Sequence, residues 1–281
     1  MMDDSKLIVA PSNTKLLERD IGKMPALECH HLGIVFGGLH AVDDFSLTIG
    51  PTEIAGLIGP NGAGKTTVFN LLTHVYEPTS GMILLGGKDT KGMSTAELSH
   101  AGIARTFQNI RLFNNLSVID NIIVAMNSSM HYGFAASVFR LPSYWREEKE
   151  AREKAMELLS IFDMQDVADA QAGSLPYGAQ RRVEILRALA TNPKLLLLDE
   201  PAAGMNPAET AELMENIRKI RDTFHIAILL IEHDMSLVMG VCDGICVLNF
   251  GKVIAKGSPE EIKSNPIVIE AYLGQHREDE E

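Results

Sequence analysis

A glycine-rich octapeptide constrains this chain more than any other feature. Gly59-Pro60-Asn61-Gly62-Ala63-Gly64-Lys65-Thr66 matches the pattern G-x-x-x-x-G-K-[ST] without a mismatch. An apolar run, Ile54 to Ile58, leads into it, and the stretch from Thr66 to Tyr76 has the pattern of a helix. The order predicts a strand, a phosphate-binding loop and a helix. Glycines let backbone N–H groups turn onto phosphate oxygens beside the helix N-terminus.

This loop predicts a set of nucleotide-binding residues. We expect Lys65 to reach the β- and γ-phosphates and the Thr66 hydroxyl to bind Mg²⁺. The alternative is a glycine-rich turn that only caps a helix, and the complete match in the right context disfavours it. The residues of this segment predicted to bind the nucleotide are Gly59, Asn61, Gly62, Ala63, Gly64, Lys65, Thr66 and Thr67.

Two acidic residues follow a second apolar run. Leu195 to Leu198 is strand-sized and ends in Asp199-Glu200. Ligands collect at strand ends in such sheets, so we expect Asp199 to help hold Mg²⁺ and Glu200 to polarise the attacking water. His233 follows another apolar strand; a lone histidine is more often structural, but this position favours an approach to the γ-phosphate. The predicted catalytic residues are Lys65, Glu200 and His233.

The order of patterns predicts an α/β protein. Alternating residues between Leu27 and Gly56 indicate β-structure, the section from about Ser94 to Leu189 is mainly helical, and the last third alternates strand and helix. We predict a P-loop NTPase with a RecA-like parallel sheet core, an antiparallel β subdomain and a helical subdomain at about residues 100–187. Residues 1–26 are expected to form a mobile extension. Residues 27–275 are expected to form the ATP-binding domain, and residues 276–281 an acidic tail.

Composition excludes several classes of function. The net charge of −12 repels a polyphosphate backbone, so nucleic acid is not an expected partner. The sequence has no run of the ~20 apolar residues that a membrane span needs and no signal peptide pattern, which predicts a soluble, cytoplasmic protein. The three cysteines are expected to be buried and reduced; a disulfide or metal site at Cys242 and Cys246 is the alternative.

The order of motifs resembles the ATP-binding cassette (ABC) family from about Leu27 to Gly274. Phe36 matches the aromatic that stacks on adenine, and Gln108 matches the glutamine that contacts the metal and signals to membrane subunits. Leu175 to Arg182 matches the family's signature segment, Gly204-Met205-Asn206 the loop that packs across the dimer, and His233 the switch histidine. The resemblance implies the cofactors ATP and Mg²⁺, with Thr66, Gln108 and Asp199 around the metal.

The resemblance also implies a mechanism and partners. Two such domains close head to tail, so that each ATP lies between one phosphate loop and the partner's signature helix, where Tyr177 and Gly178 would contact it. ATP joins the dimer, hydrolysis releases it, and the helical subdomain passes the motion to transmembrane permeases. The second ATP-binding subunit is a copy or a paralogue. A substrate-binding protein acts indirectly, and the location is the cytoplasmic face of the inner membrane.

The signature segment departs from the family pattern. Pro176 stands where serine is usual, and Tyr177 where the first glycine is usual. Proline has neither a hydroxyl nor an N–H, so two donors to the γ-phosphate are lost. Ser174 is expected to cap the helix that follows. The segment is either partly degenerate or typical of a subfamily that closes with fewer contacts, and the presence of Lys65, Asp199, Glu200 and His233 favours the second.

Finer features resemble the ATPase of branched-chain amino acid importers. They include Arg105-Thr106-Phe107-Gln108-Asn109-Ile110-Arg111-Leu112-Phe113 and the ending Ala271-Tyr272-Leu273-Gly274. Urea uptake, lipopolysaccharide export, a non-transport ABC ATPase and a silent regulatory subunit are the alternatives. An aromatic-rich insertion at residues 130–146 is expected to pack on the helical subdomain, with a docking surface for the membrane partner as the alternative.

Overall fold

The structure, a computed structural model, describes residues 18–20, 22–126, 139 and 142–273. Most of the predicted extension, much of the aromatic insertion and the whole acidic tail lie outside these ranges. The described strands are β1 (Leu27–Phe36), β2 (Leu39–Ile49), β3 (Ile54–Ile58), β4 (Ser80–Leu85), β5 (Lys88–Asp89), β6 (Ile103–Arg105), β7 (Leu195–Asp199), β8 (Ala227–Ile231), β9 (Gly244–Asn249) and β10 (Lys252–Gly257).

The described helices follow the order that the sequence predicts. They are α1 (Lys65–Leu72), α2 (Thr95–Ala101), α3 (Val118–Met126), α4 (Pro142–Leu159), α5 (Tyr177–Leu189), α6 (Pro207–Phe224), α7 (Met235–Val241), α8 (Pro259–Lys263) and α9 (Pro266–Leu273). The helix after the glycine-rich loop is shorter than predicted, because a hydrogen-bonded turn at Thr73 and His74 ends it before Tyr76.

A six-stranded sheet forms the core, in the order β10-β9-β3-β8-β7-β6. Its strands are parallel except for the terminal pair of β9 and β10. Every residue of β3, β7 and β8 is buried, which explains their unbroken apolar runs, since a parallel sheet is covered by helices on both faces. The predicted α/β fold with a parallel core is confirmed. All the carboxyl ends of β3, β7 and β8 lie at one edge, where the site is built.

A second, antiparallel sheet has the order β2-β1-β4-β5 and corresponds to the predicted β subdomain. The helical part consists of α3, α4 and α5, and α4 buries the predicted stripe of Ala151, Ala155, Leu158 and Leu159. The start of this part was predicted at about residue 100. Strand β6 pairs with β7 from Ile103 to Arg105, so those residues belong to the core sheet.

The N-terminal boundary also differs from the prediction. Asp20 is buried and accepts hydrogen bonds from the hydroxyl and the N–H of Thr52. Arg19 forms an ion pair with Asp222 at 2.6 Å and donates to the carbonyl of Thr52 at 2.9 Å. Arg19 and Asp20 are therefore packed on the domain, although they lie within residues 1–26, which were predicted to be a mobile extension.

Smaller expectations have mixed outcomes. All three cysteines are buried and free, as predicted, and burial raises the pKa of Cys246 to about 12.

The aromatic insertion was expected to pack on the helical subdomain. Phe139 and Trp145 are 74% and 56% exposed, so these two rings do not pack into it. Within the described ranges, no helix is long and apolar enough to cross a membrane.

Candidate functional site: a phosphate loop facing a carboxylate cluster

The phosphate loop (Gly59–Thr66) is held in shape by glycines, and two of them, Gly59 and Gly64, leave no room for a side chain. Gly59, Gly62 and Gly64 have φ values of 152°, 75° and 103°. A Cβ on Gly64 would lie 2.7 Å from the carbonyl oxygen of Ala41, and a Cβ on Gly59 would overlap the carbonyl of Leu248. The loop is therefore wedged between β2 and β9, which fixes the direction of its backbone N–H groups.

Lys65 begins the helix that follows this loop. Its ammonium donates to the carbonyls of Gly59 at 2.6 Å and Pro60 at 2.9 Å. Burial lowers the pKa of Lys65, and the carboxylates of Glu200 and Asp199 partly offset that effect. Burial favours the neutral amine of Lys65, whereas the neighbouring carboxylates favour its ammonium form, so the two effects on its pKa oppose each other.

Asp199 ends β7 beneath the loop. Its carboxylate is nearly inaccessible and forms an ion pair with Arg105 at 2.9 Å. Arg105 also donates to the side chain of Asn70 on α1 at 2.8 Å, and its guanidinium lies between the rings of Phe69 and Phe107. Sequence reasoning missed Arg105; the only signal was its position directly before Thr106-Phe107-Gln108.

The Glu200 carboxylate lies close to two other predicted site residues, Gln108 and His233. Glu200 has a φ of 48°, unusual for a residue with a side chain, and its N–H donates to the carbonyl of Ile231 at 2.9 Å. The Gln108 amide donates to one carboxylate oxygen at 2.9 Å. His233 Nδ1 lies 3.9 Å from the other oxygen. The structure therefore brings Gln108, Glu200 and His233 together from three separate segments, beside Lys65 and Asp199.

Glu232 is a buried carboxylate that sequence reasoning did not single out. It accepts the N–H of Ala202 at 2.8 Å and that of His233 at 3.1 Å, which ties the turn after Glu200 to the histidine. Burial raises the pKa of Glu232, and these backbone hydrogen bonds oppose the rise. A charged residue directly after a buried strand was the available signal.

The signature segment (Leu175–Arg182) starts α5. Pro176 is the N-cap residue and, among the described residues, no side chain caps the helix. The prediction that Ser174 would cap it is wrong, because the Ser174 hydroxyl donates to the carbonyl of Gln171 inside a preceding 3₁₀ turn. Tyr177 is 46% exposed, and its ring packs against Gly204. The ring of Tyr177 thus contacts the segment after Glu200.

The predicted adenine platform lies at the end of β1. Phe36 is 44% exposed and meets the ring of Tyr76 edge-on, with the ring centroids 5.2 Å apart. Tyr76 was not predicted to belong to the site. An exposed aromatic face held by a second ring is suited to stacking on a flat base.

A family model described as ABC transporter matches residues 42–203, which is more than half of the chain. The chain belongs to the ABC transporter family. A second model, described as branched-chain amino acid ATP-binding cassette transporter, matches residues 252–278. The first match covers the phosphate loop, the helical part and Asp199-Glu200, and the second covers β10 and the C-terminal helices.

Curated and solved ABC proteins resemble this chain over nearly its whole length. It is 46% identical to the high-affinity branched-chain amino acid transport ATP-binding protein BraF of Pseudomonas aeruginosa, over 89% of this chain and 98% of that protein. It is 47% identical to LivG of Escherichia coli K12 over the same shares. The crystal structure of the ADP conformation of MJ1267, an ATP-binding cassette of an ABC transporter, has a TM-score of 0.78 and 31% identity, and the match covers 90% of this chain and 100% of that one.

The residues present fit a nucleotide and a magnesium ion. A Cβ built on Gly62 meets nothing within 4 Å, so the loop opens onto free space there, while Gly59 and Gly64 are closed behind it. Thr66 is exposed in the first turn of α1. The donor set of Thr66, Gln108 and Asp199 supplies only oxygen ligands, which is the chemistry that Mg²⁺ prefers.

Proposed function

We propose that this chain hydrolyses ATP to power the uptake of branched-chain amino acids through separate membrane permeases. The observation that carries the ATPase proposal is the convergence of Gln108 and His233 on Glu200, next to Lys65 and the phosphate loop. A nucleotide-binding module with no hydrolytic role would not need a carboxylate with one oxygen hydrogen-bonded to Gln108 and the other 3.9 Å from His233.

Each side chain has a defined part in hydrolysis. Glu200 takes up the proton of the attacking water, and Gln108 fixes one of its oxygens at 2.9 Å. His233 stabilises charge near the γ-phosphate. Lys65 pairs with the β- and γ-phosphates, and the loop's backbone N–H groups bind the remaining oxygens. Thr66, Gln108 and Asp199 would hold Mg²⁺, which would supply positive charge beside the phosphates.

The signature segment supplies the second half of each site. Tyr177 and Gly178 lie on an exposed helix start and contact the ATP held by a second ATP-binding subunit, while Phe36 stacks on the adenine. The working unit is a dimer of ATPases, homo- or heteromeric, on the cytoplasmic face of the membrane. It binds two permeases, and a substrate-binding protein meets those permeases rather than this chain.

Two similarities support branched-chain amino acids as the cargo. The relatives named above are branched-chain amino acid transport proteins, and the C-terminal match at residues 252–278 is to a model described for such transporters. A test is uptake of labelled leucine, isoleucine, valine and urea by cells lacking the gene, complemented with wild type, Glu200→Gln or Glu153→Gln. Glu153 lies on the surface of α4, paired with Lys149, so its variant is the matched control.

The proposal expects uptake of the three amino acids to be restored by wild type and Glu153→Gln but not by Glu200→Gln. Urea uptake restored in their place would assign the chain to the related urea system. Full restoration by Glu200→Gln would show that hydrolysis at this carboxylate is not needed.

A further inference from the structure

A fully buried arginine lies beneath the carboxylate cluster. Arg181 lies on α5, one turn after the exposed start of that helix, and its side chain has no accessible surface. Its guanidinium donates to the carbonyl oxygens of Phe107 and Gln108, the latter at 2.9 Å. It also donates to the carbonyl of Glu200 at 3.0 Å. A guanidinium is planar with donors in fixed directions, so these bonds hold three chain segments in one arrangement.

Glu184, one turn further along α5, completes the contact. Its carboxylate pairs with Arg181 at 2.7 Å and accepts the N–H groups of Phe107 and Arg111, both at 3.4 Å. The pair therefore holds the loop around Gln108 through both its carbonyls and its amides. A buried ion pair seldom adds much net stability, because desolvation offsets the attraction. Its consequence here is positional.

The groups that this pair holds are those that act on the nucleotide. Gln108 reaches Glu200 through its side chain, while Arg181 binds the backbone of both residues. We propose that Arg181 is a positioning residue that makes the geometry of Gln108 and Glu200 follow the signature helix; this rests on the ATPase function proposed above. Within one chain, the helix that faces the partner's ATP is thereby linked to the carboxylate that acts on the chain's own ATP.

The neighbouring arginine shows that burial, and not residue type, gives Arg181 this role. Arg182 points away from the cluster and pairs with Glu212 on α6 at 2.8 Å. Arg181 itself is too deeply buried to touch a nucleotide held by a second subunit. Of the two adjacent arginines in the signature segment, Arg181 therefore lies in the interior and Arg182 lies toward the surface.

The experiment compares Arg181→Lys, the paired variant Arg181→Met/Glu184→Met, and Arg152→Met in the purified full chain. The paired variant removes both charges together, because replacing a whole buried ion pair by apolar residues is tolerated far better than removing one partner. Arg152 pairs with Asp169 on the surface at 2.8 Å and is the matched control. The measurements are the thermal midpoint, the Kd for ATP and kcat.

The paired variant is expected to keep the Kd for ATP within about twofold and to lower kcat by about 100-fold, since a small misplacement of a catalytic group costs that much. Arg181→Lys is expected to lie between it and wild type, and Arg152→Met to match wild type in all three. A paired variant with wild-type kcat, or one whose ATP affinity falls as far as its kcat, would overturn the proposal. If the paired variant does not fold, Arg181→Lys decides by the same comparison of Kd and kcat.

A wild-type chain that binds ATP without hydrolysing it would contradict the proposed function, and a separate measurement would still test Arg181. Amide hydrogen exchange at Phe107, Arg111 and Glu200 reports the arrangement directly. Faster exchange at all three amides in Arg181→Lys, with unchanged exchange elsewhere in the core sheet, is expected. Exchange equal to wild type at these amides would overturn the positioning role.

Discussion

The phosphate loop and the signature segment are both helix N-termini, yet they are built in different ways. Neither α1 nor α5 has a side-chain cap among the described residues. Six other described helices are capped by side chains: α2 by Ser94, α3 by Ser117, α6 by Asn206, α7 by Asp234, α8 by Ser258 and α9 by Asn265. A cap satisfies N–H groups that would otherwise bind an anion, so the uncapped starts of α1 and α5 are suited to phosphate.

The two uncapped starts differ in what holds them. The phosphate loop is fixed by backbone: Gly59 and Gly64 lie against β9 and β2 with no room for a Cβ. The signature segment is fixed by side chains: Tyr177 packs on Gly204, and a Cβ on Gly178 would lie 3.3 Å from the carboxylate of Glu209. A backbone-built site tolerates few substitutions, whereas a site built from side chains can accept Pro176 and Tyr177.

The largest expected effect separates chemistry from binding at the phosphate loop. Glu200→Gln removes the proton acceptor and leaves the loop and Lys65 intact, so kcat should fall by roughly 10²–10⁴-fold with little change in ATP affinity. Single-turnover hydrolysis and equilibrium binding of a fluorescent ATP analogue measure the two quantities. Equal, measurable turnover by wild type and variant would mean that Glu200 is not the base, whereas no turnover by either would indicate a silent regulatory subunit.

A second test compares glycines in the two regions. Gly59→Ala forces a side chain into the carbonyl of Leu248, and we expect the free energy of unfolding to fall by about 3 kcal/mol, with loss of ATP binding. Gly178→Ala is expected to change the free energy of unfolding by less than about 1 kcal/mol, because the better helix propensity of alanine is offset by the 3.3 Å contact with Glu209. Denaturant unfolding measures both. If both variants lowered the free energy of unfolding by a similar amount, the two helix starts would not differ in how their backbones are held.

A smaller effect is expected at the departure from the family pattern. Pro176→Ser restores an N–H and a hydroxyl at the start of α5, so hydrolysis should be between unchanged and about tenfold faster. The steady-state ATPase rate of the dimerising protein measures it, with Ser174→Ala as the control because Ser174 caps the preceding turn only. A large drop in rate would show that the proline itself is required.

The smallest expected effect is a change in pH dependence. Burial lowers the pKa of Lys65, and Glu200 opposes that shift. Glu200→Gln removes one opposing charge, so the pKa of Lys65 should fall further and ATP affinity should begin to weaken at a lower alkaline pH than in wild type. Binding of a non-hydrolysable ATP analogue from pH 7 to 10 tests this. Lys65→Arg, which stays charged, should not lose ATP affinity at alkaline pH. Identical binding curves for wild type and Glu200→Gln would show that Glu200 does not affect the pKa of Lys65.

Much of the fold and part of the site could be predicted because their signals are local. The unbroken apolar runs of β3, β7 and β8 indicated buried parallel strands, and the fully matched octapeptide indicated the loop between β3 and α1. Helix and strand boundaries were less accurate where tertiary pairing decided them. Residues 103–105 were assigned to the helical section, but hydrogen bonding to β7 makes them a strand.

The sequence alone determined which groups are present: the phosphate loop, Asp199 and Glu200 after a strand, and Gln108 and His233 at their places in the order. Only the tertiary structure decided how they are held. Arg105 lies 94 residues from Asp199, and Arg181 lies 74 residues from Phe107, so no local pattern could reveal those contacts. A buried arginine must find acceptors wherever the packed chain provides them, and backbone carbonyls have no signature in the sequence.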